Sequence, residues 1–299
     1  MTDITLLDGS IGQEIVKRSG DRATPLWSTS VMMEKPDVVG DVHLDYFRAG
    51  ATIATTNTYA VYVDRLDRVG LEGEHLHLLD VAVEQAQRAR TAHGSGRIAG
   101  ALGPLGATYR PDIAIEQEKA AETFAINVRH LDPHVDLFLI ETASSLHQAR
   151  TALMGCARAT DKPVWLSVTV KDDDGTQLRS GESIADLAGI VSEFDPAAVL
   201  INCSPPEAMA AGLEIVKTFG KPFGAYANGF TRISEDFLKE APTVDALEQR
   251  TDLGPKEYAA FAMGWIDQGA TIVGGCCEVG PAHIAELARQ LRAAGHTIT

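Results

Sequence analysis

Three cysteines stand where short apolar runs end. Thr271-Ile272-Val273-Gly274-Gly275-Cys276-Cys277 climbs like a buried strand, breaks at two glycines and closes on adjacent thiols. Ala198-Val199-Leu200-Ile201-Asn202-Cys203 ends in a third. Zinc is well matched by thiolates in a tetrahedral array, and a catalytic site keeps one position open. Successive residues of a regular strand point to opposite faces. Cys276 and Cys277 therefore share a metal only where the backbone leaves strand geometry. Gly274-Gly275 offers that freedom, through positive φ or close approach. Three thiolates on Zn2+ leave one net negative charge, and the metal lowers the pKa of a further thiol, so that an exogenous thiolate forms at neutral pH. Such chemistry suits attack by sulfur on an electrophilic carbon. A Cys-Cys pair alone also fits packed core thiols or a vicinal redox pair. The two glycines and the thiol at a second strand end favour the metal. Cys156, among Leu153, Met154 and Ala157 in a helical stretch, reads as core.

These residues need a scaffold that brings strand ends together. Apolar runs with little polar alternation, the mark of strands covered on both faces, fall at residues 5–8, 51–57, 97–102, 136–141, 163–169, 197–202, 222–226 and 270–274. Amphipathic helices are predicted at 35–49, 71–93, 116–131, 145–159, 183–194, 206–219, 255–268 and 281–294, the second carrying Leu76, Leu79, Val83 and Ala86 at helical spacing. Strand and helix alternating eight times predict an α/β protein, a (β/α)8 TIM barrel forming a single domain over residues 1–299. A doubly wound open sheet is the alternative. Loops 24–34, 109–115 and 229–254 are long enough to help cover a site.

Barrel chemistry sits at the C-terminal ends of strands, and the special residues cluster there. Strand 1 ends in Asp8-Gly9-Ser10, strand 2 in Thr56-Asn57-Thr58-Tyr59, strand 4 in Glu141-Thr142 and strand 7 in Asn228-Gly229. By residue type alone Asp8-Gly9 reads equally as a turn, Glu141 as a solvated strand end and Asn228-Gly229 as a turn pair. His75 and His77 are two apart on a helix and do not share a face. His283, one turn inside the last helix, reads as structural.

Composition narrows the function. The 299 residues approach the ~250 of a single barrel and suffice for a sizeable core. Forty-one acidic against 26 basic residues give a net charge of −15. That argues against nucleic-acid partners, which demand basic surface, and against an anionic membrane. No secretory signal and no apolar run of the ~20 residues that span a bilayer is evident. A cytoplasmic protein is expected, with cysteines used for metal, catalysis or packing rather than disulfides.

With these residues in view, the chain resembles the homocysteine S-methyltransferase family over nearly its whole length. The resemblance is carried by Gly274-Gly275-Cys276-Cys277-Glu278-Val279-Gly280-Pro281-Ala282-His283-Ile284 and Ile201-Asn202-Cys203-Ser204. Leu6-Leu7-Asp8-Gly9-Ser10, residues 100–107, Leu139-Ile140-Glu141-Thr142 and Ser180-Gly181-Glu182-Ser183 add to it. It implies a (β/α)8 barrel in which Cys203, Cys276 and Cys277 bind Zn2+ and the metal binds homocysteine thiolate. It further implies a substrate pocket at Asp8, Gly9, Ser10, Asn57 and Glu141. There the backbone near Gly9 meets the carboxylate, and Glu141 accepts from the ammonium. Asn228 would fill the open metal position before the thiol arrives.

The expected reaction moves a methyl group to homocysteine, giving methionine. The length of one barrel leaves no room for a folate or cobalamin module. A small cationic donor is therefore expected: S-methylmethionine, S-adenosylmethionine, another sulfonium or a betaine. Tyr59, Tyr62 and Tyr109, on strand-end loops, are candidates to hold its positive centre by their ring faces. Alternatives are a different thiol or selenol acceptor, or a non-catalytic barrel with structural zinc. A metal hydrolase is disfavoured by the absence of a His-x-His pair at the strand ends. The chain departs from the family at Asp8-Gly9-Ser10-Ile11-Gly12-Gln13 and Ala227-Asn228-Gly229-Phe230, both near the expected substrates.

Overall fold

Each of the eight apolar runs forms a strand, and a ninth follows the last helix. The computed structural model describes residues 2–20, 26–233 and 248–299. The strands are β1 (Asp3–Leu6), β2 (Ile53–Thr55), β3 (Arg97–Leu102), β4 (Leu137–Ala143), β5 (Val164–Val168), β6 (Ala198–Asn202), β7 (Phe223–Tyr226), β8 (Ile272–Val273) and β9 (Thr297–Ile298). They form one parallel, curled sheet in the order β2-β3-β4-β5-β6-β7-β8-β1-β9. Thr5 and Leu6 pair with Ile272 and Val273. On the other side of the same strand a parallel bridge joins Leu7 to Ile53, and Thr52 N donates to Leu6 O at 2.7 Å. The strand order runs through β2 to β8 without the reversal that defines a doubly wound sheet, so that alternative is excluded.

Eleven α-helices lie among the described residues: α1 (Ile11–Ser19), α2 (Ser28–Glu34), α3 (Pro36–Ala49), α4 (Val63–Leu66), α5 (His75–His93), α6 (Gln117–Leu131), α7 (Leu146–Ala157), α8 (Leu187–Phe194), α9 (Pro206–Val216), α10 (Pro255–Asp267) and α11 (Pro281–Ala293). Their ends follow local chemistry. Proline, whose missing N–H is no loss in the first turn, opens α3, α9, α10 and α11. Ser145 Oγ accepts from Gln148 N to cap α7, and the Glu116 carboxylate accepts from Glu118 N and Lys119 N to cap α6.

Apolar side chains fill two layers. One lies between sheet and helices and holds most of the buried residues, including Cys156 and Tyr62. The other lies on the concave side of the sheet, where Leu7, Ile53, Ala99, Leu139, Trp165, Leu200, Tyr226 and Ile272 pack together. This alternation in and out explains why the strands read as unbroken apolar runs.

The expected helix at 71–93 begins later, at His75, and its inner face carries Leu79, Val83 and Ala86 as predicted. Leu76 departs from the expectation: it is 45% exposed, because Leu78, Leu79 and Ala82 define the buried stripe. Residues 28–34 are helical rather than loop. Parts of two expected covering loops, residues 24–25 and 234–247, lie outside the described residues. No helix of the described chain is long and apolar enough to cross a membrane.

Candidate metal centre and substrate pocket

The end of β6 and the turn after β8 bring the three thiols together. Cys203 Sγ lies 2.6 Å from Cys276 Sγ and 3.8 Å from Cys277 Sγ, and all three sulfurs fall within 4.8 Å of one another. Bonds of about 2.3 Å to a tetrahedral metal place sulfurs about 3.8 Å apart. The Cys203–Cys277 spacing meets that value, and Cys276 has to swing out by about 1 Å. The donor set is soft and suits a thiophilic metal. Thiols this close share charge. Hydrogen bonding between Cys203 and its two neighbours holds the Cys203 thiol well below its ordinary range and pushes Cys276 and Cys277 up.

The two glycines serve the second of the two expected uses. Neither Gly274 nor Gly275 adopts positive φ. They are required for close approach: a Cβ at Gly274 would stand 2.5 Å from Leu7 Cβ, and one at Gly275 would stand 2.2 Å from Val279 Cγ1. The left-handed residues are instead Cys203 (φ 52°) and Glu278 (φ 64°). Trp27, Tyr109 and Thr142 share that conformation and, with Cys203, line one pocket. Non-glycine residues held there cost about 1–3 kcal/mol each, and such strain gathers at functional sites.

Backbone hydrogen bonds weld the turn to its neighbours. Gly275 N donates to Asp8 O (2.9 Å), Cys276 N to Ala227 O (2.9 Å) and Gly229 N to Cys277 O (2.8 Å). Gln13, in α1, adds a clasp: its Nε2 donates to Glu278 Oε1 (2.5 Å), while its Oε1 accepts from Glu278 N (2.7 Å) and Ser10 Oγ (2.6 Å).

Two carboxyls line the same pocket. The Asp8 carboxylate is buried and accepts from Thr55 N (2.6 Å) and Thr55 Oγ1 (2.7 Å). Burial raises its pKa to about 7 against those hydrogen bonds. It ties the end of β1 to β2 at the pocket wall. Glu141 is half-buried, 3.1 Å from the Tyr226 hydroxyl, which in turn is 2.8 Å from Ser167 Oγ. Burial, then the nearby Asp8 and Cys203 charges, push Glu141 up to about 8. A group so placed favours a cationic partner.

The cavity, about 120 Å³, is lined by Gly9, Ser10, Asn57, Tyr59, Tyr109, Glu141 and the three cysteines among others. At the roughly 30 Å³ that a water takes up in the liquid it holds about four waters. Residues 9–13, at the start of α1, form one wall, so the positive end of a helix borders the space. Asn57 accepts from Ser28 Oγ at 2.6 Å. The Tyr59 hydroxyl pairs with Thr108 Oγ1 at 2.9 Å, with the Arg65 guanidinium 5.8 Å over its ring.

One candidate stands elsewhere. Tyr62 is fully buried in the outer core, edge-on to Phe124, and is not on the pocket wall; its sequence position just before α4 turns it inward. Asn228 is buried beside the thiol turn, between Ala227 and Gly229, which bond Cys276 N and Cys277 O; its Oδ1 accepts from Phe230 N at 3.3 Å, and its Nδ2 meets no partner among the described residues. His75 pairs with Asn127 Oδ1 (2.8 Å), and His283 Nδ1 accepts from Gly280 N (3.2 Å), both structural. Sequence reasoning missed Gln13, Tyr226 and the aromatic pair Trp27 and Phe230, which pack with Tyr109 against the thiols. Phe230 had a faint signal, since it lies at one of the two departures from the family pattern.

A family model described as homocysteine S-methyltransferase matches residues 5–291. Homocysteine S-methyltransferase YbgG of Bacillus subtilis is 28% identical over 309 residues, covering 97% of this chain and 95% of that protein. Selenocysteine Se-methyltransferase of Brassica oleracea is 26% identical, over 96% of this chain and 88% of its own. The metallated crystal structure of the homocysteine methyltransferase MmuM from Escherichia coli superposes with a TM-score of 0.81 at 28% identity, covering 96% of both chains.

Proposed function

The chain belongs to the homocysteine S-methyltransferase family, and we propose that it moves a methyl group from a small cationic donor to the sulfur of homocysteine, giving methionine. The observation that carries this reading is the convergence of Cys203, Cys276 and Cys277 in one pocket with the half-buried Glu141. The metal we assign is zinc, held by the three thiols. When bound, it would keep the substrate sulfur as a nucleophilic thiolate at neutral pH.

The chain's own residues do the rest. Glu141, held by Tyr226, accepts from the substrate ammonium in a charge-assisted hydrogen bond. The backbone at Gly9 and Ser10, at the start of α1, suits the carboxylate, as helix N-termini suit anions. The substrate sulfur is then aligned with the methyl carbon; the new S–C bond forms as the donor's bond to that carbon breaks, and its electron pair leaves with the donor. Positioning of this kind supplies much of the rate. Trp27, Tyr109 and Phe230 keep water from the thiols and offer ring faces to the donor's positive, methyl-bearing centre. The pocket's acidic groups favour the same sign of charge.

We also read the curled sheet as a closed (β/α)8 barrel and the chain as one domain over residues 1–299. The Leu7–Ile53 bridge and the concave-side cluster support closure. A reducing, cytoplasmic setting fits cysteines that must stay reduced to bind metal.

The test is a donor panel. Zinc-loaded protein is incubated with homocysteine and, in turn, S-methylmethionine, S-adenosylmethionine and glycine betaine, and methionine is measured. Methionine from one of the sulfonium or betaine donors is expected. Its absence with every donor, while selenocysteine or another thiol is methylated, would reassign the acceptor; no methylation of any acceptor would overturn the reading.

A further inference from the structure

The Cys203 backbone is left-handed, yet its carbonyl oxygen is held from two sides. Tyr109 Oη donates to it at 3.1 Å and Thr169 Oγ1 at 3.2 Å. Relaxing φ toward an ordinary value would rotate that carbonyl and lengthen both bonds. Both donors are gripped by one side chain. Arg179 Nε donates to Thr169 Oγ1 at 3.0 Å, and the threonine hydroxyl in turn meets Cys203 O and, at 3.0 Å, Ser204 Oγ. The Arg179 guanidinium also lies 4.5 Å from the centre of the Tyr109 ring, within cation–π range.

Arg179 is itself fixed. Its side chain is only 11% exposed, and Nη2 donates to Asp172 Oδ1 at 2.7 Å. The other oxygen, Asp172 Oδ2, accepts from Ile233 N at 2.9 Å, and Ile233 packs against the cluster of Tyr109, Phe230 and Cys203. The chain from Asp172 to Cys203 thus joins the segments after β5, β3 and β7 to the thiol that comes from β6.

We propose that Arg179 is a positioning residue for Cys203, acting through Thr169 and Tyr109 to hold that thiol where a metal can take it. The inference rests on Cys203 being a metal ligand. A planar fork that bonds two ways and stacks a third is work that lysine cannot fully repeat.

The test measures Zn2+ affinity by competition with a chromophoric chelator, beside the thermal midpoint of the metal-free protein. Arg179→Met is expected to weaken zinc binding about 10- to 100-fold, the usual cost of losing an outer-sphere support. Arg179→Lys should recover part of the loss, and the metal-free midpoint should stay close to that of the parent. Zinc affinity within twofold of the parent overturns the proposal. So does a drop in the metal-free midpoint that accounts for the whole effect, since that marks a merely structural role. Should Arg179→Met fail to fold, Tyr109→Phe removes only the hydroxyl on Cys203 and should weaken zinc in the same direction; unchanged affinity there is equally fatal. Cys203→Ala run in parallel separates the two ideas. If it keeps full zinc affinity, the ligand assignment falls; if it loses zinc while Arg179→Met does not, only the role of Arg179 falls.

Discussion

On one flank of the pocket, the ends of β6 and β8 set three sulfurs against one another, with Cys203 in a strained backbone. On the other, the ends of β1, β4 and β7 hold two carboxyls that the chain satisfies by itself: Asp8 by Thr55, and Glu141 by Tyr226 backed by Ser167. The thiol flank crowds three sulfurs that, on the proposed reading, a metal cation completes. On the carboxyl flank burial raises both pKa values, to about 7 and about 8, and on the same reading Glu141 ionises when an ammonium arrives. If, as proposed, the first takes the metal and the second the amino acid, damage to them should separate cleanly in the assay.

The largest separation is expected from Cys277→Ala. Metal content should fall and methionine formation should drop by more than the roughly 100-fold that an outer-sphere loss costs. Elemental analysis beside turnover checks this, and full activity with no metal would erase the distinction between the flanks. Next comes Glu141→Gln, which should keep the metal and lose a charge-assisted hydrogen bond worth about 1.5–3 kcal/mol. That is a roughly ten- to hundredfold loss in kcat/KM for homocysteine, and a simultaneous loss of zinc would merge the two sides.

Titration sharpens the contrast. Burial favours the neutral carboxyls, so each stabilises the fold below the ordinary carboxylate range. That stability is lost as pH rises through about 7 for Asp8 and about 8 for Glu141. An ammonium ligand prefers the ionised Glu141. Homocysteine should therefore raise the thermal midpoint more at pH 8 than at pH 6, and Glu141→Gln should flatten that trend. The smallest effect is expected from Tyr226→Phe: one neutral hydrogen bond, about 0.5–1.5 kcal/mol, seen as a rise of about two- to tenfold in KM with kcat and metal content kept.

Much of this frame is legible in the sequence because strands buried on both faces announce themselves as apolar runs. The thiols were legible because cysteine beside paired glycines at a strand end is rare company. What was hidden depends on three-dimensional neighbours. The short α1, α2 and α4 carry too few turns for a clear period, and β9 has only two residues. Gly274 and Gly275 were correctly singled out, but their cause, the nearness of Leu7 and Val279, lies across more than 250 residues or in the fold of one turn. Tyr59, Tyr62 and Tyr109 look alike in sequence; only packing sends Tyr62 into the core and the others to the pocket. Tyr226 left no local signal, since it acts on a partner far along the chain, and Gln13, like Phe230, stood out only as part of a departure from the family pattern.

The clasp between Gln13 and Glu278 joins residues 265 positions apart, and β1 lies directly against β8. Contacts of that span form late in folding, because long loops are entropically expensive to close. The turn bearing Cys276 and Cys277 leans on Asp8 and Gln13, so its shape waits for the first strand to dock on the eighth. If the triad takes the metal as proposed, its capture would report completed assembly: a ribosome-bound or kinetically trapped chain lacking that seam would present loose thiols instead of a formed chelate.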